Sequence, residues 1–358
     1  MFVGLGPRKS QGGFVLVSVV VVSALLLILA GVFNFFAERE IEGAIRAKKS
    51  LENKLDQKST EQTLLYLVAT HRYTRAGLSL VKEDERDYIV DGDVYTKPVG
   101  DEMRLDGTPY IGFGSTVFYI RDLSGAFPLN TIDPSHLESL LSAWEADIVT
   151  RRGLVDSLLD YIDVDQNERL HGAEEQADGF APKNYLLRTV PEIRRVRGWA
   201  KWLDSHPEFD PEGLLSVSLV SYINVNTLPA EHFKYLFSPT DVELEGTLEE
   251  RKQFSFQSVD DIEKSSGEAL ELDDLYFRFF PSNRLRFTIM SADSQYSSTM
   301  AVTFTPFGLK KPWYVDYQYF SELGRSLPES STRFSESHFT HLFAPVAGGS
   351  LSVGNGIW

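Results

Sequence analysis

The chain contains no cysteine. Disulfides and thiolate metal sites are therefore excluded, and stability has to come from packing or from other ligands. Positive charge is scarce: 35 Lys and Arg stand against 51 Asp and Glu, for a formal charge of −16. Nucleic-acid binders draw affinity from basic patches that meet phosphate, and this balance runs the other way. An acidic surplus suits divalent cations in an exported domain, and it equally describes a well-solvated surface. Enzyme signatures are poor. There is no G-x-S-x-G elbow and no P-loop, and Gly112-Phe-Gly114 lacks the third glycine of a dinucleotide fingerprint. His338 and His341 stand three apart with no Glu-containing zincin motif around them. Internal repeats and long low-complexity runs are also missing.

Charge is absent altogether between Lys9 and Glu38. Within that window, Phe14–Phe36 is a 23-residue apolar run. About 20 such residues cross the hydrocarbon layer as a helix. Arg8 and Lys9 precede the run, which predicts a cytoplasmic N-terminus and an exported remainder. Three readings compete. A secretory signal peptide has a shorter apolar core. An ordinary single-span anchor is the plain alternative. The third turns on Gly13-Phe14: a short basic leader, then Gly, then Phe opening an apolar helix, resembles the prepilin class of substrates. The chain after the run continues as a plausible helix to about Arg75, with Ile41, Ile45, Leu51 and Leu55 approximating one apolar face.

Beyond Gly77 the pattern is mixed. Asp91-Gly92-Asp93 and Asp106-Gly107 are turn signals. Thr108–Leu123 reads as strand, with Asp122-Leu-Ser-Gly125 as the turn that ends it. From Asp133 to about Ile193 the spacing is helical, notably over His136–Ile148 and Leu154–Ile162. Strands return at Leu285–Met290, Thr299–Phe304 and Trp313–Phe320, before a Gly- and Ser-rich tail at Ala347–Trp358. The simplest architecture is one α+β domain whose sheet is split in sequence by a helical insertion.

Chemistry concentrates in Leu158–Glu175. Asp163, Asp165, Asn167 and Glu174 occupy positions 1, 3, 5 and 12 of a twelve-residue loop, the EF-hand ligand spacing for Ca²⁺. Position 6 is Glu168, where such loops need Gly for a sharp turn, so the loop is expected to fold differently with overlapping ligands. Asp160 and Glu175 are further candidate ligands. The alternative is an acidic, solvated turn between helices. A second segment, Ser221–Phe237, carries Asn226 and Thr227 ahead of Pro229, where either would cap a short helix. It resembles a helix-hairpin (SAM-like) unit of a kind used on nucleic acid, although its acidic neighbourhood favours a structural cap.

Taken together, the motifs resemble those of the large minor pseudopilin of type II secretion, the GspK family. The matching segments are Gln11-Gly-Gly-Phe14, Asp122-Leu-Ser-Gly125 with Leu129-Asn130, Leu158–Asp165 through Gly172-Ala-Glu174, Val190-Pro-Glu-Ile, Val196-Arg-Gly198, and Ile223-Asn-Val-Asn-Thr227 with Pro229-Ala-Glu. They run in family order from about residue 8 to 237. Pro128 and Tyr161 depart from the family pattern, which has Asn and Trp there. Residues 240–358 match only in general character.

The resemblance implies a pilin-like α+β fold with a long N-terminal transmembrane helix, an antiparallel sheet and a large inserted α-helical domain. The implied layout is a leader at 1–13, a helix at 14–76, a discontinuous pilin-like domain at 77–125 and 281–358, and an insertion at 126–280. Prepilin peptidase is expected to cut between Gly13 and Phe14, with N-methylation to follow. Ser18 is the fifth residue from Phe14, where pilins and most pseudopilins carry a Glu that pairs with a neighbour's N-terminal ammonium. A subunit with Ser there begins a fibre and does not extend one. The implied protein is non-enzymatic. It is anchored in the bacterial inner membrane with its bulk in the periplasm, and its partners are other minor pseudopilins and the major pseudopilin. No nucleic acid is expected. A minor pilin of a type IV pilus and a membrane-anchored DNA-uptake receptor are the rival readings.

Overall fold

The computed structural model describes residues 12–79, 87–90, 93–96, 98, 102–131, 133–144, 146–174, 182–220, 222–229, 232–233, 241–267, 276–291, 296–305, 308–322 and 340–341. The Asp91-Gly92 turn, Glu175, His338 and the Ala347–Trp358 tail lie outside them. The chain divides into two compact units, Met1–Leu55 and Asp56–Trp358.

Helix α1 spans Gly12–Thr70, 59 residues without a proline. Its apolar first half is long enough to cross a membrane, and none of that window is buried within the protein. Ile41, Ile45, Leu51 and Leu55 are exposed as well. The last turns change character: Leu64, Leu65 and Val68 are buried against Phe118, Ile120, Leu285 and Phe287 of the sheet. The helix stops at Thr70, short of the expected Arg75, because Tyr73–Thr74 (β1) turns back onto Gly77–Leu78 (β2). β3 (Asp87–Val90) and β4 (Asp93–Thr96) form a second small antiparallel pair.

The main sheet begins with β5 (Asp106–Ile111) and β6 (Thr116–Asp122), where the sequence reads as one strand. Gly112–Ser115 reverses the chain between them, with Gly114 at φ +57°. The turn is held from outside, since Phe113 N–H donates to Thr60 Oγ1 of α1 at 3.0 Å. Gly112 is required by the same approach, because a Cβ there would stand 2.6 Å from the Thr60 side chain. After a short 3-10 turn at Leu123–Gly125, β7 (Phe127–Pro128) leaves the sheet.

The helical block follows: α2 (Pro134–Ala143), α3 (Ile148–Ile162), the 3-10 turn Val190–Arg195, α4 (Trp199–Ser205), α5 (Pro211–Leu214), β8 (Leu215–Ser216), β9 (Ile223–Asn224), α6 (Asp241–Gln253) and α7 (Val259–Ser266). The expected helix over His136–Ile148 is interrupted, because Asp147 starts a new one by accepting the N–H groups of Val149 and Thr150. Trp199, Leu158, Leu140 and Phe233 belong to the core of this block, which is separate from the core beneath the sheet.

The chain returns through β10 (Phe277–Arg278), which pairs with β9, and then β11 (Arg284–Ser291), β12 (Tyr296–Phe304), β13 (Trp313–Glu322) and β14 (Thr340–His341). Strand order in the sheet is β13-β12-β11-β6-β5-β14, antiparallel except for the short β14–β5 pair. β6 and β11 are neighbours in register from Thr116↔Ser291 to Asp122↔Leu285, although the helical block lies between them in sequence. The fold is α+β, with a long apolar N-terminal helix, an antiparallel sheet and a large helical insertion.

Candidate functional site

α3 sets up the acidic site. Asp156 and Asp160 are four residues apart and therefore share a face of the helix, and Asp163 caps its C-terminus, its N–H donating to Leu159 O at 3.0 Å. The chain then folds back along that face. His171 N–H donates to Asp156 Oδ2 at 3.1 Å, and the N–H groups of Arg169 and Ala173 donate to Asp160 Oδ2 at 3.2 and 2.9 Å. Gly172 permits this close return, because a Cβ there would stand 1.8 Å from Asp160 Oδ2. Asp160 is fully buried.

One oxygen each from Asp160, Asp163 and Glu174 lies within 4.8 Å of the others. The guanidinium of Arg169 stands 2.6 Å from Asp160 Oδ1 and 2.6 Å from Asp163 Oδ2. One cation therefore serves two carboxylates, and Asp163 Oδ1 and Glu174 Oε1 are buried without a hydrogen-bond partner. Burial, reinforced by the negative charges of Asp160, Asp163 and Asp165, pushes the Glu174 carboxyl above its ordinary range. Two orphaned oxygens in an oxygen-only donor set fit a hard divalent cation, which takes 6–8 such ligands.

The remaining expected ligands are placed differently. Asp165 and Asn167 are exposed, and the Asp165 carboxylate accepts Asn167 N–H at 2.8 Å in a local turn. Asp165 is not part of the three-carboxylate group, and Glu175 falls outside the described residues. Asp160, by contrast, is central. Arg169 is the residue that sequence reasoning missed, and its only signal was a basic side chain inside an acidic stretch.

Gly13 and Phe14 lie at the start of α1. The Ser18 hydroxyl donates to Val15 O at 2.9 Å, so position 18 is locally satisfied and carries no charge.

Within the Ser221–Phe237 stretch, Asn226 and Thr227 also tie distant segments of the chain together. Asn226 amide N–H groups donate to Phe256 O and Phe279 O, each at 2.9 Å, and its Oδ1 accepts Phe256 N–H at 2.9 Å. Thr227 Oγ1 donates to Asp122 Oδ2 at 2.9 Å. Both side chains are buried. Gly125 is needed beside them, because a Cβ there would meet Thr227 O at 2.5 Å. Residues 234–240 lie outside the described residues. Other motif segments also touch one another: the Tyr161 hydroxyl donates to Glu192 Oε1 at 3.3 Å, and Asn130 Nδ2 donates to Leu187 O and Val217 O, each at 3.0 Å.

No protein-family model matches the sequence, and no curated protein does. Among solved structures, the chain is similar to a chain of the GspK-GspI-GspJ complex from the enterotoxigenic Escherichia coli type 2 secretion system. The two share 17% identity, the match covers 81% of this chain and 99% of that one, and the TM-score is 0.48.

Proposed function

We propose that the chain is a minor pseudopilin of type II secretion, acting at the tip of the pseudopilus as an assembly subunit and not as an enzyme. The observation that carries this reading is α1. It is one unbroken 59-residue helix, apolar and exposed at its start and built into the core of the sheet at its end. Ser18 on that helix has no charge to offer a preceding subunit. An unpaired charge in an apolar bundle costs several kcal/mol, so a subunit without the acid has no predecessor to neutralise. On this reading prepilin peptidase cuts after Gly13, Phe14–Phe36 sits in the inner membrane, and the remainder stands in the periplasm among sibling pseudopilins.

Asp160, Asp163 and Glu174 are the residues that would hold Ca²⁺, whose two charges would neutralise carboxylates that Arg169 serves only in part. Bound there, the ion would tie the loop ending at Glu174 to α3 and so stiffen the helical block.

Two measurements test the reading. Mass analysis of the mature N-terminus should find a start at Phe14, and an intact Met1 start would contradict processing. Deletion of the gene should abolish export of secreted proteins while their synthesis continues. Unaltered secretion would overturn the assignment.

A further inference from the structure

The helical block closes on itself. Its first strand, β7, pairs with β8, and its last, β10, pairs with β9, so both of its ends are bound within it. Its apolar core shares no residue with the core beneath the sheet. The chain enters the block just after Asp122 and leaves it just before Ser282, and Ser282 donates to the Asp122 carboxylate through its N–H at 3.1 Å and its hydroxyl at 2.6 Å. A body with its own core and one narrow pair of crossings has the anatomy of a hinged unit.

The block is fastened to the sheet a second time, at α5, and that attachment is polar. In the sheet, Asp106, Arg121, Arg286, Ala301 and Tyr317 stand opposite one another in a single cross-strand row. They alternate along their strands with residues such as Ile120, Phe287 and Met300, which belong to the core against α1, so the row lies on the other face. Arg121 Nη1 donates to Gly213 O at 3.4 Å, Arg286 Nη1 to Leu215 O at 3.2 Å, and Thr299 Oγ1 to Glu212 Oε2 at 3.5 Å. All three are longer than the usual bond of about 2.9 Å. Arg286 is 2% exposed, and its Nη2 is buried without a hydrogen-bond partner. It stands directly opposite Arg121, and like charges so placed repel. A buried polar layer that is only partly satisfied adds little net stability. The closed position is held weakly here, whereas the crossing and both cores are tightly built.

We propose that the helical block is a hinged lid on the sheet, pivoting where Asp122 meets Ser282 and latched by α5, and that it opens without unfolding either core. Opening uncovers the Arg121–Arg286 row and Thr299 while leaving the residues packed on α1 covered. The proposal stands apart from the assembly reading and does not depend on a bound cation.

The test uses the full chain in uncharged detergent micelles. The chain has no cysteine, so a single introduced thiol reports alone. Thr299 and Val302 lie on β12, both with no exposed surface, Thr299 against α5 and Val302 in the core on the α1 side. Thr299→Cys and Val302→Cys are each exposed to a thiol-specific reagent under native conditions, and melting is recorded for both. Met300→Cys, in the same core, is the second probe should Val302→Cys fold poorly. Opening of the lid should let Thr299→Cys react about 100-fold faster than the core probe, which waits for global unfolding. Glu212→Lys sets a further cation beside Arg286 and touches neither core. It should speed the Thr299→Cys reaction at least three-fold and leave the core probe unchanged. Equal rates at the two positions would overturn the proposal, because opening would then be global. So would a Glu212→Lys effect that is absent or equal at both, or a Thr299→Cys thiol that reacts as fast as a free one, since no closed state would then exist.

Discussion

Asp122, the last residue of β6, accepts a 2.9 Å hydrogen bond from Thr227, which lies 105 positions later in the helical block. The same carboxylate accepts Asn224 Nδ2 at 2.9 Å and the N–H and hydroxyl of Ser282 at 3.1 and 2.6 Å, and it caps the turn at Ser124. Sheet, block and return strand therefore meet on one buried side chain. Asp122→Ala leaves several buried donors unmet and should cost about 3 kcal/mol or more. Asp122→Asn keeps the shape but exchanges an acceptor for a donor, and should cost somewhat less. Denaturant midpoints of the two variants check the order, and an Asp122→Ala variant with unchanged stability would contradict it.

Asp106 offers a pH test. Burial alone would raise its carboxyl, but the Arg104 guanidinium, 2.7 Å away, and the Thr108 hydroxyl bring it down to about 2. A depressed folded-state pKa stabilises above the unfolded value near 4 and loses that contribution as pH falls toward 2. The contribution is on the order of 2 kcal/mol. Asp106→Asn should therefore be less stable than the parent at neutral pH, and the gap should close on acidification across that window. A gap that stays constant down to pH 2 would rule this out.

Arg169 is expected to act as a built-in counter-ion. Arg169→Gln leaves Asp160 buried without its cation, and the partial exposure of Arg169 limits the cost to about 1–2 kcal/mol. If a divalent cation replaces the guanidinium, millimolar Ca²⁺ should restore the variant's melting temperature and raise it more than the parent's. Melting curves with Ca²⁺ and with EDTA measure this, and indifference of both proteins to Ca²⁺ would exclude a cation at these carboxylates.

Gly172→Ala probes the same loop through shape. The added methyl must displace either the Asp160 carboxylate or the returning chain. Overpacking of this kind costs about 1–3 kcal/mol. Any Ca²⁺-dependent gain in melting temperature should shrink with it. Gly43→Ala, where a Cβ meets nothing within 4 Å, is the control and should leave melting unaffected or slightly raised.

What could be read from residues alone depended on how local the determining physics was. The apolar rod of α1 and strands β11, β12 and β13 carry their own periodicity and composition, and so does the α2–α3 region apart from its break. That break is locally encoded too, since Asp147 ahead of Val149 and Thr150 is a cap, but Ile148 continued the apolar spacing and masked it. The β5–β6 reversal was hidden because Ile111 and Phe113 keep the stretch strand-like, while its anchor, Thr60, lies 53 residues away. The long-range bonds of Asn226 and Thr227 could not be read from the sequence, because cap residues and long-range staples use the same side chains. At the acidic loop, spacing singled out Asp163, Asp165, Asn167 and Glu174, with Asp160 as an extra candidate; the group that the fold draws together is Asp160, Asp163 and Glu174, and spacing could not reveal that Arg169 folds back between two of them.

The helical block leaves the sheet at Asp122 and rejoins it at Ser282, a separation of 160 positions. The two central strands of the sheet therefore cannot zip together until that long excursion has closed. Loop closure of this length is entropically slow, and topologies rich in distant pairings fold late. The chain should therefore first gather its inserted helices and only afterwards complete the sheet, so the β6–β11 seam is the last part of the fold to close.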